Sequence, residues 1–295
     1  MAYSVDEGEV GSVRRLSECG ILSDEIALDV AQAMEWIAGM GLGYVELRSL
    51  WGTNVVDWSA EQIDRVQGLI VRHALKVSGI ASPVFKCALD PGHPPAVQGD
   101  RFGTEEASIA SHFRWLEKAL ALAKRFEATR VRIFSFWREA APQDHFPEVV
   151  AHLREAGRLA EAYGIPLVLE NEPACNGGSA DEVFELVTAV DSPMVGMLWD
   201  PGNDYYGGFR VDPDQAQYLL GKAAHVHLKD AVDHGGVRTI VPLGQGGVDW
   251  RSILAALDGS GYRGHLILEP HVANGILGVE ASVAGLKTLL AAGPS

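Results

Sequence analysis

At 295 residues, 47% of them hydrophobic and 21% charged, the chain has ample material for a core and a length that α/β barrels commonly devote to one domain. A surplus of 39 acidic over 24 basic residues, net charge −15, argues against nucleic acid or an anionic membrane surface as a partner, although a local group of Arg and Lys can still hold a small anion. Three widely spaced cysteines, Cys19, Cys87 and Cys175, cannot all pair within the chain, so reduced thiols and an intracellular setting are expected.

Residues 1–12 are acidic and lack apolar periodicity, which predicts a short N-terminal extension ahead of a barrel over 13–295. Asp6, Glu7 and Glu9 stand where a signal peptide would carry Lys or Arg. No run reaches the roughly 18 apolar residues that span a bilayer, so a cytoplasmic protein is expected. The first strand is placed at 13–17. Ser23-Asp-Glu25 then offers a helix cap with a negative first turn, and Ala27, Val30, Ala31, Met34, Ile37 and Ala38 recur at helical spacing until Gly39 and Gly41. The second strand is 43–48, followed by a polar loop with Trp51 and Trp58. Ser59-Ala-Glu-Gln62 reads as a capping box for a helix with Ile63, Val66, Leu69 and Ile70 on its apolar face. The third strand is 76–82, and the Pro- and Gly-rich loop over 83–103, with Phe85, is long enough to cover a site.

A helix over 104–126 buries Phe113, Leu116, Leu120 and Ala123. The fourth strand, 129–135, leads into Phe136, Trp137 and Arg138, and Pro147 is expected in the first turn of a helix running to Tyr163. The fifth strand is Leu167-Val-Leu-Glu170, followed by a second capping box, Ser179-Ala-Asp-Glu182. Later strands end at Asp200, Lys229 and Glu269, with a helix from near Asp249-Trp250 between the last two. Val279, Val283, Leu286 and Leu290 mark a closing helix. Eight strand–helix pairs predict a single (β/α)8 TIM barrel, and nothing in the composition asks for a second domain.

The last four strands are short apolar runs that stop in acid or imidazole, as buried parallel strands with polar tips would. Residues two apart on a strand share a face, so Glu170 points with Val168, His227 with His225 and Glu269 with Ile267. A carboxylate facing the helix layer would be buried unpaired at a cost of several kcal/mol. The inward rim is therefore favoured. Spacings of 30, 27 and 42 residues between positions 170, 200, 227 and 269 fit one ligand per strand–helix unit. Three carboxylates on one rim repel one another unless a cation offsets them. Mixed carboxylate–imidazole ligation suits one divalent metal ion, Mn2+ or Mg2+ before Co2+ or Zn2+.

The same residues carry a family resemblance. Leu-Val-Leu-Glu170-Asn-Glu, Leu-Trp-Asp200-Pro-Gly-Asn203, His225-Val-His227-Leu-Lys-Asp, Leu243-Gly-Gln-Gly-Gly-Val-Asp-Trp250 and Leu-Ile-Leu-Glu269-Pro resemble the xylose-isomerase-like TIM-barrel sugar phosphate isomerase/epimerase family, as does Glu46-Leu-Arg-Ser-Leu-Trp51. The resemblance runs from about residue 13 to 290 and implies Glu170, Asp200, His227 and Glu269 as ligands of one divalent metal. It implies Glu170 and Glu269 as the proton-transfer pair, acting through a metal-stabilised enediolate on a small sugar, sugar acid or sugar phosphate. It also puts Lys229 and Arg238 near positions that hold substrate oxygens or phosphate in relatives. The family's ketose 3-epimerases carry a substrate-contacting His three residues after the Asp ligand, where this chain has Asn203.

Glu46, Arg48, Trp51, Arg132, Phe136, Trp137, Glu172 and His271 stand at strand tips or just beyond, as further pocket candidates. His225 reads better as a barrel-interior residue than as a ligand, Gly244-Gln-Gly-Gly247 as a turn before the Asp249 cap, and Cys175 as unreactive. The loops bearing Trp51 and Phe85 are expected to set selectivity. Three other functions share this scaffold: an inosose-dehydratase-like lyase, a non-catalytic sugar-binding barrel, and an endonuclease-IV-like enzyme. The last needs further histidine ligands and a different charge. A homo-oligomer is compatible with everything above.

Overall fold

The computed structural model describes residues 14–26, 29–90, 92–105, 107–211, 218–219, 222–273 and 275–292. The expected N-terminal extension therefore lies outside the described residues. Strand β1 (Cys19–Leu22) precedes helix α1 (Val30–Gly39), and β2 (Tyr44–Leu47) leads into a small antiparallel pair, β3 (Ser49–Leu50) and β4 (Thr53–Asn54). Then come α2 (Ala60–Arg72), β5 (Lys76–Ala81), α3 (Ile109–Arg125), β6 (Val131–Ile133) and α4 (Pro142–Tyr163). The second half runs β7 (Leu167–Glu170), α5 (Ala180–Val190), β8 (Val195–Trp199), α6 (Pro201–Gly207) and β9 (Ala223–Leu228). A hairpin of β10 (Asp230–His234) and β11 (Val237–Val241), then α7 (Trp250–Gly259), β12 (His265–Leu268) and α8 (Ile276–Ala291), complete the order. Strands β1, β2, β5, β6, β7, β8, β9 and β12 pair in parallel and close into a barrel, β12 returning to β1. This is the (β/α)8 barrel that the alternation of elements predicts. No helix among the described residues is long and apolar enough to cross a membrane.

The alternation of side chains along each strand sorts the interior. Val45, Leu47, Val131, Ile133, Leu167, Leu169, Val226, Leu228, Leu266 and Leu268 belong to the main apolar core that the helices cover. Their neighbours in sequence point the other way. Glu46, Arg132, Glu170, His225 and His227 are all buried, alongside a small inner apolar set of Leu22, Ala81 and Ile267. A strand read as uniformly apolar with one polar tip is thus apolar toward the helices and polar toward the barrel axis.

Several elements differ from expectation. The first strand is Cys19–Leu22, not 13–17; Leu16–Glu18 forms a 3-10 turn. Gly20 concealed it, because glycine is a poor strand former. A Cβ there would come within 2.7 Å of the Tyr44 carbonyl and 2.8 Å of Ile267, so the barrel closes only around glycine. The cap of α1 is Asp29, whose carboxylate accepts the Ala31 amide, while Ser23, Asp24 and Glu25 remain at the barrel mouth. Helix α3 begins at Ile109 behind Ser108, later than 104. Helix α4 begins at Pro142, and Pro147 falls inside it, where the missing N–H removes one intrahelical bond. Both capping boxes form as the sequence implies, Ser59 with Gln62 and Ser179 with Glu182.

Candidate metal centre

Glu170, Asp200, His227 and Glu269 meet at the C-terminal rim of the barrel. One ligand atom from each lies within 4.8 Å of all the others, and all four residues are buried. Glu170 is the last residue of β7, and Glu269 follows β12 directly. Asp200 caps α6, its carboxylate accepting the Asn203 amide at 2.9 Å, and its backbone is clamped by Asn171 through both N–H (2.8 Å) and C=O (2.9 Å). Gly202 is required here: a Cβ would fall within 2.5 Å of the Lys229 Cβ, so α6 could not seat against the end of β9.

His227 is held from both sides. Its Nε2 lies 3.0 Å from Glu46 Oε1, whose other oxygen is 2.6 Å from His225 Nε2. Its Nδ1 lies 3.3 Å from Glu170 and 3.2 Å from Glu269. Glu46 was expected among substrate contacts, but both its oxygens are taken by the two histidines beneath the rim. What it does instead is fix the His227 ring so that Nδ1 faces the carboxylates.

Buried charge shapes the protonation states. Burial pushes Asp200 upward and Lys229 only partly offsets it, leaving its pKa at about 6. Burial also opposes ionisation of Glu269, yet Lys229, His271 and His227 outweigh it and hold the carboxyl well below its usual range. Glu170 is lowered in the same way, Arg132 overcoming burial. For His227, burial disfavours the charged form while Glu46 and Glu269 more than compensate, raising it well above an ordinary imidazole. Burial dominates at His225, lowering it to about 3 despite Glu46.

The residues fit a divalent ion. Lys229 Nζ sits 2.9 Å from Asp200 Oδ2, and Arg132 Nη1 sits 3.1 Å from Glu170 Oε2. Neither contact has hydrogen-bond geometry, so both buried oxygens keep lone pairs that no donor meets. Three carboxylate oxygens and one imidazole nitrogen converge on one point, a donor set suited to manganese, magnesium, cobalt or zinc.

A ring of cations surrounds this centre, each matched by acid. Arg48 spans Asp24, Glu25 and Glu269; Arg132 reaches Glu170; Lys229 touches Asp200, Glu269 (2.8 Å) and the Asn203 amide oxygen (2.9 Å). Asn203 also donates to the Asn171 carbonyl at 2.9 Å. His271 lies 2.9 Å from Glu25 and 3.2 Å from Glu269. Glu172 pairs with Lys86 at 3.2 Å. Trp51 lines a cleft of ≈ 580 Å3 with Arg48, Phe102 and His271. Arg238 lies apart, on the hairpin strand β11, paired with Asp233 and packed by Gly208. Phe136 and Trp137 are fully buried. Phe85, expected to help set selectivity, is buried too, stacked on Phe136 at 4.8 Å and edge-on to Phe113.

Lys86, Phe102, Asp24 and Glu25 escaped the sequence reading. Lys86 had a weak signal, a lone cation just past a strand end. Phe102 had none, since only the fold brings it over Arg48, Arg132 and Lys86, with centroid distances of 4.9, 4.9 and 4.0 Å. Trp51, Phe85, Phe102, Phe136 and His271 all have positive φ. Trp51, Phe102 and His271 line the cleft, while Phe85 and Phe136 lie within the core.

A profile of the family described as "xylose isomerase-like TIM barrel" matches residues 34–289. An inosose dehydratase of Clostridium perfringens (strain ATCC 13124) is 27% identical over 152 residues, covering 45% of this chain and 50% of that protein. The chain thus spans about half the length of the curated relatives it matches first. Among solved structures, the IOLI protein with a bound zinc atom superposes with a TM-score of 0.73 at 17% identity, covering 93% of this chain and 98% of the other. D-Psicose 3-epimerase with D-tagatose, from Clostridium cellulolyticum H10, gives a TM-score of 0.68 at 16% identity, covering 92% and 97%. At such identities these two likenesses speak to fold.

Proposed function

This chain belongs to the xylose isomerase-like TIM-barrel family, and from that premise we propose that it is a divalent-metal-dependent isomerase or epimerase of a small carbohydrate. The observation that carries the reading is the pair Glu170 and Glu269, brought from separate strands to the same imidazole nitrogen and joined there by Asp200. Glu170, Asp200, His227 and Glu269 would hold one ion, manganese or magnesium by the oxygen-rich donor set, with cobalt or zinc also compatible. When bound, such an ion polarises a substrate carbonyl and its neighbouring hydroxyl.

The remaining chemistry belongs to the chain. One glutamate accepts a proton from the carbon next to the carbonyl, and the electron pair of the C–H bond moves into a C=C bond while the carbonyl oxygen gains charge. The second glutamate returns a proton to the same or the adjacent carbon. Lys229 and His271 keep Glu269 in its base form, and Glu46 keeps the His227 ring in register. Burial of all four groups keeps bulk water from competing.

A second reading is favoured by the relatives. Stretches of about 40–45% of this chain match inosose dehydratases of several bacteria. In that reaction the same base removes the proton, and the electron pair expels a hydroxyl from the next carbon instead of awaiting a proton. The test is a manganese-loaded screen of ketoses, aldoses, inososes and their phosphates for exchange of a carbon-bound proton with deuterium, with product analysis to separate isomerisation from loss of water. Glu269→Gln should lower exchange about 10²–10⁴-fold. Undiminished exchange in that variant, or after EDTA, would overturn the reading.

A further inference from the structure

We propose that Lys86 and Glu172 form a second subsite that receives adjacent hydroxyls of an uncharged polyhydroxylated substrate, so that the site selects neutral sugars or cyclitols over their phosphorylated or acidic counterparts. The inference rests on the metal-dependent carbohydrate reading above and names the substrate class of that site.

Lys86 is 3% exposed, in the connection after β5. Its ammonium lies 4.0 Å from the Phe102 ring centroid, 4.5 Å from Phe134 and 5.8 Å from Trp137. Among the described residues, Glu172 Oε2 at 3.2 Å is its hydrogen-bond acceptor, and an ammonium has three donors. Glu172 is only two residues beyond Glu170 and is partly open, its side chain 23% exposed. Trp137 beside them carries a buried indole N–H that no acceptor meets. The same Phe102 and Phe134 rings are faced by Arg132 at 4.9 and 4.8 Å, and Arg132 touches Glu170. The subsite and the metal centre therefore share one aromatic wall.

That composition suits a polyol. An ammonium beside a carboxylate presents a donor and an acceptor side by side, which two neighbouring hydroxyls satisfy at once. A phosphate or carboxylate would meet the opposite situation. Lys86 is matched by Glu172, Arg132 by Glu170, Lys229 by Asp200 and Glu269, and Arg48 by Asp24, Glu25 and Glu269. An incoming anion would have to displace a resident carboxylate from its cation and would meet that carboxylate's charge, so rejection of charge is built into the wall.

Calorimetry on the manganese-loaded chain tests this with D-fructose, D-fructose 6-phosphate, myo-inositol, myo-inositol 1-phosphate and D-gluconate. The neutral member of the better-binding pair should bind at least tenfold more tightly than its phosphate. Glu172→Gln, which leaves the Lys86 charge unmatched, should shift that ratio at least tenfold toward the anion, and Lys86→Met should weaken neutral binding at least tenfold. Neither should change manganese affinity. Equal or tighter binding of the phosphates, an unchanged ratio in Glu172→Gln, or no binding of any neutral compound overturns the proposal. Glu172→Gln is isosteric and partly exposed, so it keeps the test intact if Lys86→Met does not fold. A chain that takes up no manganese fails the metal reading and the subsite with it; one that binds manganese but breaks the sugar pattern fails the subsite alone.

Discussion

Glu46→Gln isolates the part of the site that lies below the metal ligands. Glu46 accepts from two imidazoles at once, His227 Nε2 at 3.0 Å and His225 Nε2 at 2.6 Å. A carboxylate can accept both protons; an amide has one acceptor and one donor group. With glutamine, one histidine must present an Nε2 lone pair to the side-chain amide and carry its proton on Nδ1. If that histidine is His227, the proton falls between Glu170 and Glu269, on the nitrogen the metal needs. Replacing a group that orients a ligating histidine in this way costs roughly 10–100-fold in metal affinity, about 1.4–2.7 kcal/mol. There is an opposing effect, because losing the Glu46 charge also eases deprotonation of His227. That second effect acts through proton release and fades as pH rises, whereas the loss of orientation does not, so an alkaline titration favours orientation. Manganese titration of wild type and Glu46→Gln at pH 8 should show the tenfold or greater loss with the folded fraction unchanged. Affinities within twofold of each other would refute the reasoning.

Three further outcomes follow from the structure. His112 accepts the Phe85 amide at 2.8 Å and burial lowers its pKa to about 4, whereas the unfolded chain protonates near 6.5. The unfolded state then binds more protons as pH falls, so wild type should lose about 2–3 kcal/mol between pH 7 and 4.5 beyond any loss in His112→Gln, read by urea unfolding. An equal loss in both would deny the role of His112. Manganese at 100 times its Kd should stabilise the chain by about 2.7 kcal/mol and raise Tm by about 5 °C, reversed by EDTA. Gly202→Ala should cost about 1–3 kcal/mol of stability and weaken manganese binding, since the new Cβ meets the Lys229 backbone; unaltered melting would show that α6 and β9 have slack.

Strand tips were legible because alternation along a strand is a rigid rule. Once β7 and β12 are placed, Glu170 and Glu269 have nowhere to point but inward. The first strand was misplaced because Gly20, needed for close packing, erases the local pattern that marks a strand. The β10–β11 hairpin also went unread, although Gly235-Gly236, both at positive φ between the paired His234 and Val237, is a strong two-residue turn signal. Phe85 and Phe102 changed places for a different reason. Both sit in one long loop with positive φ, and only tertiary contacts decide that Phe85 turns into the core and Phe102 over the cations. Glu46 shows the same limit: its strand-tip position is readable, but not that two histidines on β9 consume both its oxygens.

Anomalous diffraction from crystals soaked in manganese addresses the central claim most directly. The account predicts one strong peak, about one ion per chain, in ligating contact with Glu170, Asp200, His227 Nδ1 and Glu269, with Lys229 displaced from Asp200. A peak on Glu25 and His271 instead, or no peak at the rim at saturating manganese, would contradict it.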